Sequence, residues 1–470
     1  MACWLDSRYV LLCSSTCAHS SGYISDLSTA GGSGLDFSAV DDILEKGVSD
    51  KVTPGLVAIV GAYEKWLYSS AKGNRIYNND KNDDNKSEND ALHIDSGFDL
   101  ASLTKVVATT AAVAQLFEEG LLDLDEKLSS EDLLGSLFSQ NGKQNITIRQ
   151  CLTHKAGFPP DPIPDYWSES FGCPQAKSLY DELSFSCSEK IFASLLRQEL
   201  TSSPGEKYVY SDLSFISLMY VVGTVVIKYE MVDDDDVLPS CLTSSIGRGK
   251  LLQCAFEAYF RKFIVKSMSH VCSKDVQSNH FCGMESTTFV PGKDKAHAYS
   301  PTSVPRVMPD SGRILEGVVE DGNAAAMGGI AGHAGLFSNA PDLANYAHAW
   351  LFPSKAGLLN ETTAELFRAV VDDIKDDPYA SSRALGWNTN DPLAFDHGWN
   401  FSCGSLSSTT FLHIGYTGTQ ICIDPIREIY TVLLTNRVYP VDDPFNGIRS
   451  LRKEFNTAVA SAVDHGPVLH

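Results

Sequence analysis

The spacing of apolar residues along the chain changes from strand-like to helical and back. After Ser102, apolar residues recur at helical spacing until Gly120 stops the pattern, which predicts one helix over this stretch. The β-branched and aromatic runs within 54–73 predict two strands joined by a turn. A similar texture returns within 409–438, where two further strands joined at Asp424 are expected.

The pattern of apolar and polar residues in the middle of the chain differs from the pattern at its two ends. Within 156–324, helical patterns alternate with polar linkers, which predicts a mostly helical inserted subdomain. The flanking parts, 38–155 and 325–470, would together form an α+β domain in which both chain ends build one sheet. A final amphipathic helix is expected over 447–463, and residues 1–37 resemble a flexible lead-in.

The composition is that of a globular protein with a strong acidic excess. The 470 residues are 43% hydrophobic and 20% charged, with a formal net charge of -22. This charge argues against nucleic acid or an anionic membrane surface as a partner. We find no apolar run of membrane-spanning length, and Asp6 before a short apolar patch makes a poor signal peptide. We therefore expect a soluble protein, with the cytoplasm slightly favoured.

The twelve cysteines form neither Cys-x-x-Cys pairs nor a Cys/His cluster at zinc spacing. In a chain this long we expect buried thiols rather than a disulfide framework. The sequence indicates no metal site and no cofactor. Its expected partner is a small-molecule substrate, and it leaves the oligomeric state open.

Ser102 is either a helix cap or a nucleophile. A serine before an apolar helix is usually an N-cap, but Lys105 lies one turn further along the same helical face, close enough to take the hydroxyl proton. Two other Ser-x-x-Lys sequences lie at a predicted strand end and within the last helix: Ser69–Lys72 and Ser450–Lys453. Only Ser102 opens a strongly apolar helix, the setting that places a hydroxyl at the floor of a cleft.

Two later segments contain side chains suited to acyl transfer. Tyr210 and Asp212 flank one residue before an apolar helix, although taken alone this pattern indicates a helix start with a polar cap. His413 and Gly415 lie in a β-prone run, where a glycine marks a bulge or a close backbone approach. The segment His333-Ala-Gly is an alternative for the same strand motif. A capped helix follows it rather than a strand, so we interpret His333 as a loop residue that shapes the site.

Together these segments resemble the serine β-lactamase and penicillin-binding-protein superfamily, in particular its class C, esterase-like branch. The resemblance rests on Ser102-Leu-Thr-Lys, Tyr210-Ser-Asp and His413-Ile-Gly in this order, and it spans residues 38–463. Flanking segments such as "PGLVAIVG" and "CLTHKAGF", with His154 as a turn residue, are also similar to the family. The resemblance implies a five-stranded antiparallel sheet with helices on both faces, and a site between this sheet and the helical lobe.

The resemblance also implies a mechanism. Ser102 would attack an ester or amide carbonyl to form an acyl-enzyme, with Lys105 as the general base and Tyr210 as the proton relay to the leaving group. The backbone N–H groups of Ser102 and Tyr416 would hold the oxyanion. His413 would orient the substrate or support Tyr210.

Two departures from the family pattern argue against an antibiotic substrate. Asp212 replaces the usual Asn, so that a carboxylate stands where an amide would donate. His413 and Ile414 replace Lys and Thr, which removes a permanent cation and a hydroxyl. Gly415 is retained, and it would let a substrate lie close to the strand. A neutral ester or amide substrate therefore fits better than a β-lactam.

Three alternatives remain open from the sequence. Within the same fold, the protein could be a true β-lactamase or a D-Ala-D-Ala carboxypeptidase. It could instead be a non-catalytic relative that kept the fold for binding or assembly, although packing gives no reason to retain Ser102, Lys105 and Tyr210 together. A conventional Ser-His-Asp esterase is disfavoured because no G-x-S-x-G elbow is present.

Overall fold

The structure is a computed structural model. It describes residues 34–63, 65–77, 91–173, 185–242, 247–275, 277, 279–291, 295, 298–302, 315–371, 383–390, 402–440, 442–443 and 447–466. The predicted flexible lead-in therefore lies outside the described residues, except for its last four positions.

The described part of the chain contains helices and strands in an α+β arrangement. The strands are β1 Gly55–Gly61, β2 Trp66–Gly73, β3 Gly97–Asp99, β4 Cys272–Lys274, β5 His280–Cys282, β6 Thr288–Phe289, β7 Leu336–Asn339, β8 Asn388–Thr389, β9 Phe411–Ile414, β10 Gln420–Asp424 and β11 Ile429–Thr435. The α-helices are α1 Ser38–Ser49, α2 Ala111–Glu118, α3 Ile148–Leu152, α4 Ser188–Arg197, α5 Asp212–Lys228, α6 Arg248–Tyr259, α7 Gly322–Ala326, α8 Ala340–Leu351, α9 Pro353–Ala356, α10 Glu361–Arg368 and α11 Ile448–Asp464. None of these helices is long and apolar enough to cross a lipid bilayer.

The main sheet joins the two ends of the chain, as the sequence predicts. Its strand order is β2-β1-β11-β10-β9-β8, and every neighbouring pair is antiparallel. The sheet has six strands rather than five, because the two-residue strand β8 pairs with the edge of β9. Such a short strand has too few residues for an alternating pattern to be visible in the sequence.

The predicted pair of strands within 409–438 is wrong in number, because this stretch forms β9, β10 and β11. The additional turn lies between β9 and β10. There the Gly415 N–H donates to the Thr419 carbonyl at 2.7 Å, and Gly418 has a φ of +107°. That conformation favours glycine, so the second glycine of this segment marks a turn.

Helices cover both faces of the sheet. Along β1, Val57 and Ile59 join the larger core, while Leu56 and Val60 join the smaller core beneath α1 and α11. This alternation places successive side chains on opposite faces of a strand that is buried on both sides. The larger core continues into α2, α5 and α8, so the segments that contain Ser102 and Tyr210 rest on a closely packed body.

The middle of the chain supplies α4, α5 and α6, together with the small β4–β5 hairpin and strand β6. Helix α5 is apolar around most of its circumference and lies buried between neighbouring helices. The division into an α+β domain (38–155 and 325–470) and an inserted subdomain (156–324) stays a prediction.

The expectation of buried thiols is wrong for eight of the twelve cysteines. Four disulfides link Cys173 to Cys187, Cys241 to Cys254, Cys272 to Cys282 and Cys403 to Cys422, whereas Cys151 is a buried free thiol. The partners are 10 to 19 residues apart in the chain. Local folding brings them together, which a search for close Cys-x-x-Cys pairs does not detect.

Candidate active site

Ser102 lies in a short 3₁₀ turn, Ala101–Leu103, directly after β3. Ala101 has a φ of +46°, an unfavourable conformation for a residue with a Cβ. The Asp99 carboxylate holds this turn by accepting the Ala101 N–H at 2.8 Å and the Glu320 N–H at 2.7 Å. Burial raises the pKa of Asp99 to about 6, although the two backbone hydrogen bonds oppose this rise.

The turn between β9 and β10 anchors this nucleophile loop from the other side. The Thr417 hydroxyl donates to the Asp99 carbonyl at 2.7 Å, and the Thr419 hydroxyl donates to the Leu100 carbonyl at 3.0 Å. A Cβ on Gly415 would lie 2.4 Å from the Leu100 carbonyl oxygen. The glycine therefore permits a close approach of two backbones, as its sequence context predicts.

The Ser102 side chain does not act as a helix cap. Its Oγ accepts a hydrogen bond from Lys105 Nζ at 2.9 Å, which is the pairing that the Ser-x-x-Lys spacing predicts. Lys105 opens a π-helical turn, Lys105–Thr110, that continues into α2, so the predicted helix forms with an irregular first part. Such π-helical turns occur often at functional sites.

Lys105 is buried and has three polar neighbours. Besides Ser102, its Nζ lies 2.8 Å from Asp212 Oδ1 and donates to the His333 carbonyl at 3.2 Å. Burial lowers the pKa of Lys105, but the Asp212 carboxylate and the Tyr210 phenol outweigh it, and the net pKa is raised. Lys105 is therefore an ammonium group at neutral pH in the free protein.

Tyr210 lies beside Lys105, with the lysine Nζ 4.8 Å from the centre of its ring. Burial raises the pKa of Tyr210, and the Lys105 ammonium opposes part of this rise without reversing it. The phenol is thus protonated at neutral pH. The helix-start alternative is correct for the backbone, because α5 begins at Asp212, but the Ser211 hydroxyl donates to the Pro159 carbonyl instead of capping the helix.

His154 holds the segment that carries Tyr210. Its Nδ1 accepts the Ser211 N–H at 3.0 Å, its carbonyl accepts the Val209 N–H at 2.9 Å, and its ring lies 4.5 Å from the Tyr210 ring. Burial keeps the pKa of His154 well below its ordinary value, so the imidazole stays neutral and can accept this bond. The residue adopts a φ of +56°, which agrees with the predicted turn.

His413 is buried on β9, and its ring centre lies 6.3 Å from that of Tyr210. Its Nδ1–H donates to the Ile414 carbonyl at 2.9 Å. Burial keeps the pKa of His413 well below its ordinary value, and the positive charges of Lys105 and Arg383 lower it further. This imidazole is therefore neutral, with Nε2 as its acceptor atom, and it supplies no cation to the site.

Tyr416 directly follows Gly415, whose backbone lies close to the nucleophile loop, and it is partly exposed. Its carbonyl accepts the Arg437 Nε–H at 2.6 Å, its hydroxyl donates to Asp442, and the Arg437 guanidinium lies 4.4 Å from its ring centre. These contacts fix the backbone at the position where the second oxyanion donor is predicted. The donor role of Tyr416 stays a prediction.

His333 and Asp321 belong to the site, and the sequence interpretation did not assign either a chemical role. His333 Nε2 lies 3.0 Å from Asp321 Oδ1 and 4.0 Å from Asp212 Oδ2. Burial lowers the pKa of His333, but the two carboxylates outweigh it, so its net pKa is raised. Asp321 also caps α7 by accepting the Ala324 N–H at 2.8 Å.

Three potential ligand atoms lie within 4.8 Å of one another, one each from Asp212, Asp321 and His333. These side chains could therefore hold a cation, although no sequence spacing indicates a metal site. In the described structure the Lys105 ammonium already lies against Asp212 and balances part of this negative charge. The sequence could have pointed to Asp321 only as a helix cap, because it precedes a Gly-Asn-Ala helix start.

The fold and this constellation are those of a β-lactamase-like serine hydrolase. The family model described as Beta-lactamase matches residues 40–453, and the chain belongs to this family. A putative D-alanyl-D-alanine carboxypeptidase of Escherichia coli (strain K12) is 28% identical over 362 residues, covering 74% of this chain and 70% of that protein. An N-acetylmuramyl-L-alanine amidase of Bacillus subtilis (strain 168) is 30% identical over 359 residues, covering 74% of this chain and 69% of that protein.

Solved structures show the same fold. A penicillin-binding protein homologue from Caulobacter crescentus aligns with a TM-score of 0.60 at 17% identity, covering 93% of this chain and 100% of that one. Together with the family match and the curated relatives, this makes the protein a hydrolase of the serine β-lactamase and penicillin-binding-protein type.

Proposed function

We propose that the protein hydrolyses a neutral ester or amide through an acyl-enzyme on Ser102. The observation that carries this proposal is the 2.9 Å hydrogen bond from Lys105 Nζ to Ser102 Oγ, at the floor of the site and beside Tyr210. Once neutral, the Lys105 amine takes the hydroxyl proton while Ser102 Oγ bonds to the substrate carbonyl carbon. Tyr210 then passes a proton to the leaving group, and later helps water release the acyl group.

Two features support a neutral substrate. His413 is an uncharged imidazole where the family pattern has a lysine, so the strand offers no cation to a substrate carboxylate. Asp212 brings a carboxylate into the site, which would repel a substrate anion at short range. The predicted substrate-binding roles of Asp212, His413 and Gly415 and the oxyanion role of Tyr416 belong to this proposal.

A second candidate is a D-alanyl-D-alanine carboxypeptidase, which the printed name of the Escherichia coli relative favours. That substrate ends in a carboxylate. The carboxypeptidase reading therefore requires a cation for this group, and His413 does not supply one.

Turnover of an activated ester separates these possibilities from a non-catalytic role. The Ser102→Ala variant should lose hydrolysis of p-nitrophenyl butyrate, while the exposed control Ser136→Ala should retain it. An N-acylated D-alanyl-D-alanine peptide should be cleaved far more slowly than the ester. Equal ester turnover by Ser102→Ala and the wild type would contradict the nucleophile assignment.

We also infer an oxidising compartment, in place of the slight cytoplasmic preference from sequence. Disulfides persist in oxidising environments and are rare in the cytosol, and four are present in the described residues. Mass spectrometry of the protein, alkylated in intact cells before lysis, should find these eight cysteines blocked. Alkylation of all eight without reduction would contradict the inference.

A further inference from the structure

A cavity that lies away from Ser102 has several basic side chains in its lining. It encloses about 390 Å³ and is lined by Tyr63, His270, Lys274, His280, His348 and Lys355, together with small and apolar groups. We call it the basic cavity. Among the described residues, no aspartate or glutamate lines it, although the whole chain has 59 acidic residues and only 37 lysines and arginines.

Within the described parts of the chain, the basic groups at its rim form no ion pair with a carboxylate. His270, Lys274, His280 and Lys355 are exposed, and none of the ion pairs among the described residues involves any of them. Basic groups that surround one concavity and have no carboxylate partner among the described residues create a positive potential that attracts an anion.

The walls of the basic cavity are held in place by covalent and packing contacts. The β4–β5 hairpin supplies one wall, and the Cys272–Cys282 disulfide joins its two strands where these residues also pair in register. On the opposite side, the Phe352 ring lies 5.2 Å from the Tyr63 ring and 5.1 Å from the His348 ring, which is buried at the cavity base. The site is therefore preformed, as binding pockets for small ligands usually are.

The basic cavity and the catalytic serine lie at opposite ends of the main sheet. The loop that anchors Ser102 contacts the Thr435 end of β11, which pairs with Leu56 at the start of β1. Tyr63 follows the last residue of β1, Gly61. Seven strand residues separate the two ends by roughly 20 Å, since a strand rises about 3.3 Å per residue.

We propose that the basic cavity binds a small ligand through a phosphoryl group. Two ammonium groups line it and match the double negative charge of a phosphate better than the single charge of a carboxylate, and three imidazoles offer ring N–H donors to phosphoryl oxygens. Lysine binds phosphate as a point charge, and Lys274 and Lys355 supply two such charges. The volume also leaves room for an organic part of about sugar size.

Isothermal titration calorimetry on the full-length protein tests this proposal with inorganic pyrophosphate and glucose 6-phosphate. Both should bind saturably to the wild type, whereas glucose should not bind. The double variant Lys274→Gln/Lys355→Gln should weaken both affinities at least tenfold. Its circular dichroism spectrum should match that of the wild type, which shows that it has folded.

The matched control is Lys127→Gln/Lys453→Gln, which removes the same charge at two exposed positions away from the cavity. This control should bind pyrophosphate within twofold of the wild type. Three outcomes would overturn the proposal: no saturable binding by the wild type, equal weakening in both double variants, or glucose binding as tightly as glucose 6-phosphate. None of these readouts depends on the catalytic proposal.

Discussion

Lys105 Nζ lies 2.8 Å from Asp212 Oδ1 and 2.9 Å from Ser102 Oγ. The amine that should accept the serine proton is thus held as an ammonium by a carboxylate where the family pattern has an amide. Under the proposed mechanism, the protonation of Lys105 is the main control on activity. It leads directly to a prediction for the dependence of activity on pH.

We expect kcat/KM for an activated ester to rise as the pH rises towards the alkaline range. The pKa of Lys105 is raised, so its neutral form becomes abundant only above the ordinary range of a lysine, and the rate follows that form. Asp212→Asn removes the opposing charge, lowers the pKa of Lys105 and should move the rising limb to lower pH. The rate at pH 7 should then increase roughly tenfold for each pH unit of the displacement.

Asp161→Asn is the matched control for this experiment. It removes an exposed carboxylate near Asp212 that is not paired with Lys105, so its pH profile should stay close to that of the wild type. If Asp212→Asn left the limb in place, Lys105 would not be the group whose deprotonation limits the rate.

A second prediction concerns Lys105→Arg. The guanidinium stays protonated at every accessible pH, so this variant keeps the positive charge beside Asp212 but loses the base. We expect kcat to fall by about 10² to 10⁴, the usual contribution of general base catalysis, with a circular dichroism spectrum like that of the wild type. Substantial activity in a folded Lys105→Arg protein would assign the base to another group.

Gly415→Ala tests the contact between the strand turn and the nucleophile loop. The new Cβ would lie 2.1 Å from Thr419 Oγ1 and 2.4 Å from the Leu100 carbonyl oxygen, so the loop has to shift. We expect the free energy of unfolding to fall by about 1–3 kcal/mol, as for other overpacked sites, together with a lower kcat. Urea denaturation and ester kinetics measure the two effects. Wild-type values for both would show that the backbone at Gly415 does not lie tightly against the Leu100 carbonyl.

The Cys403–Cys422 disulfide closes a 19-residue separation that includes β9, the strand of His413. Cross-links of this loop length contribute about 3 kcal/mol to stability by restricting the unfolded chain. The double variant Cys403→Ala/Cys422→Ala should lose stability of this order in urea denaturation under oxidising conditions. No loss relative to the wild type would indicate that the bond is absent from the folded protein.

The sequence predicts the parts of the site that depend on short spacings. Ser102 and Lys105 are one helical turn apart, and Tyr210 precedes a strongly apolar helix, so both pairings are visible in the local pattern. The two-ended sheet is also predictable, because β-prone runs occupy both ends of the chain. In each case the element that carries the feature is visible in a local pattern, even where its partner, as for β1 and β11, lies at the other end of the chain.

The remaining features depend on contacts between distant parts of the chain. Asp321 and His333 reach Lys105 and Asp212 from segments more than 100 residues away in sequence, and neither lies in a pattern that indicates catalysis. The raised pKa of Lys105 follows from burial and a specific ion pair, which composition cannot supply. The disulfides and strand β8 pair residues that are closer together in the chain, but no short sequence motif marks these pairings.

The most direct test of the central claim is the intact mass of the protein after incubation with a fluorophosphonate. The wild type should gain one phosphonyl group, peptide mapping should place it on Ser102, and Ser102→Ala should gain none, whereas Ser136→Ala should be labelled like the wild type. Equal labelling of Ser102→Ala, or no labelling of the folded wild type, would contradict a working nucleophile at Ser102.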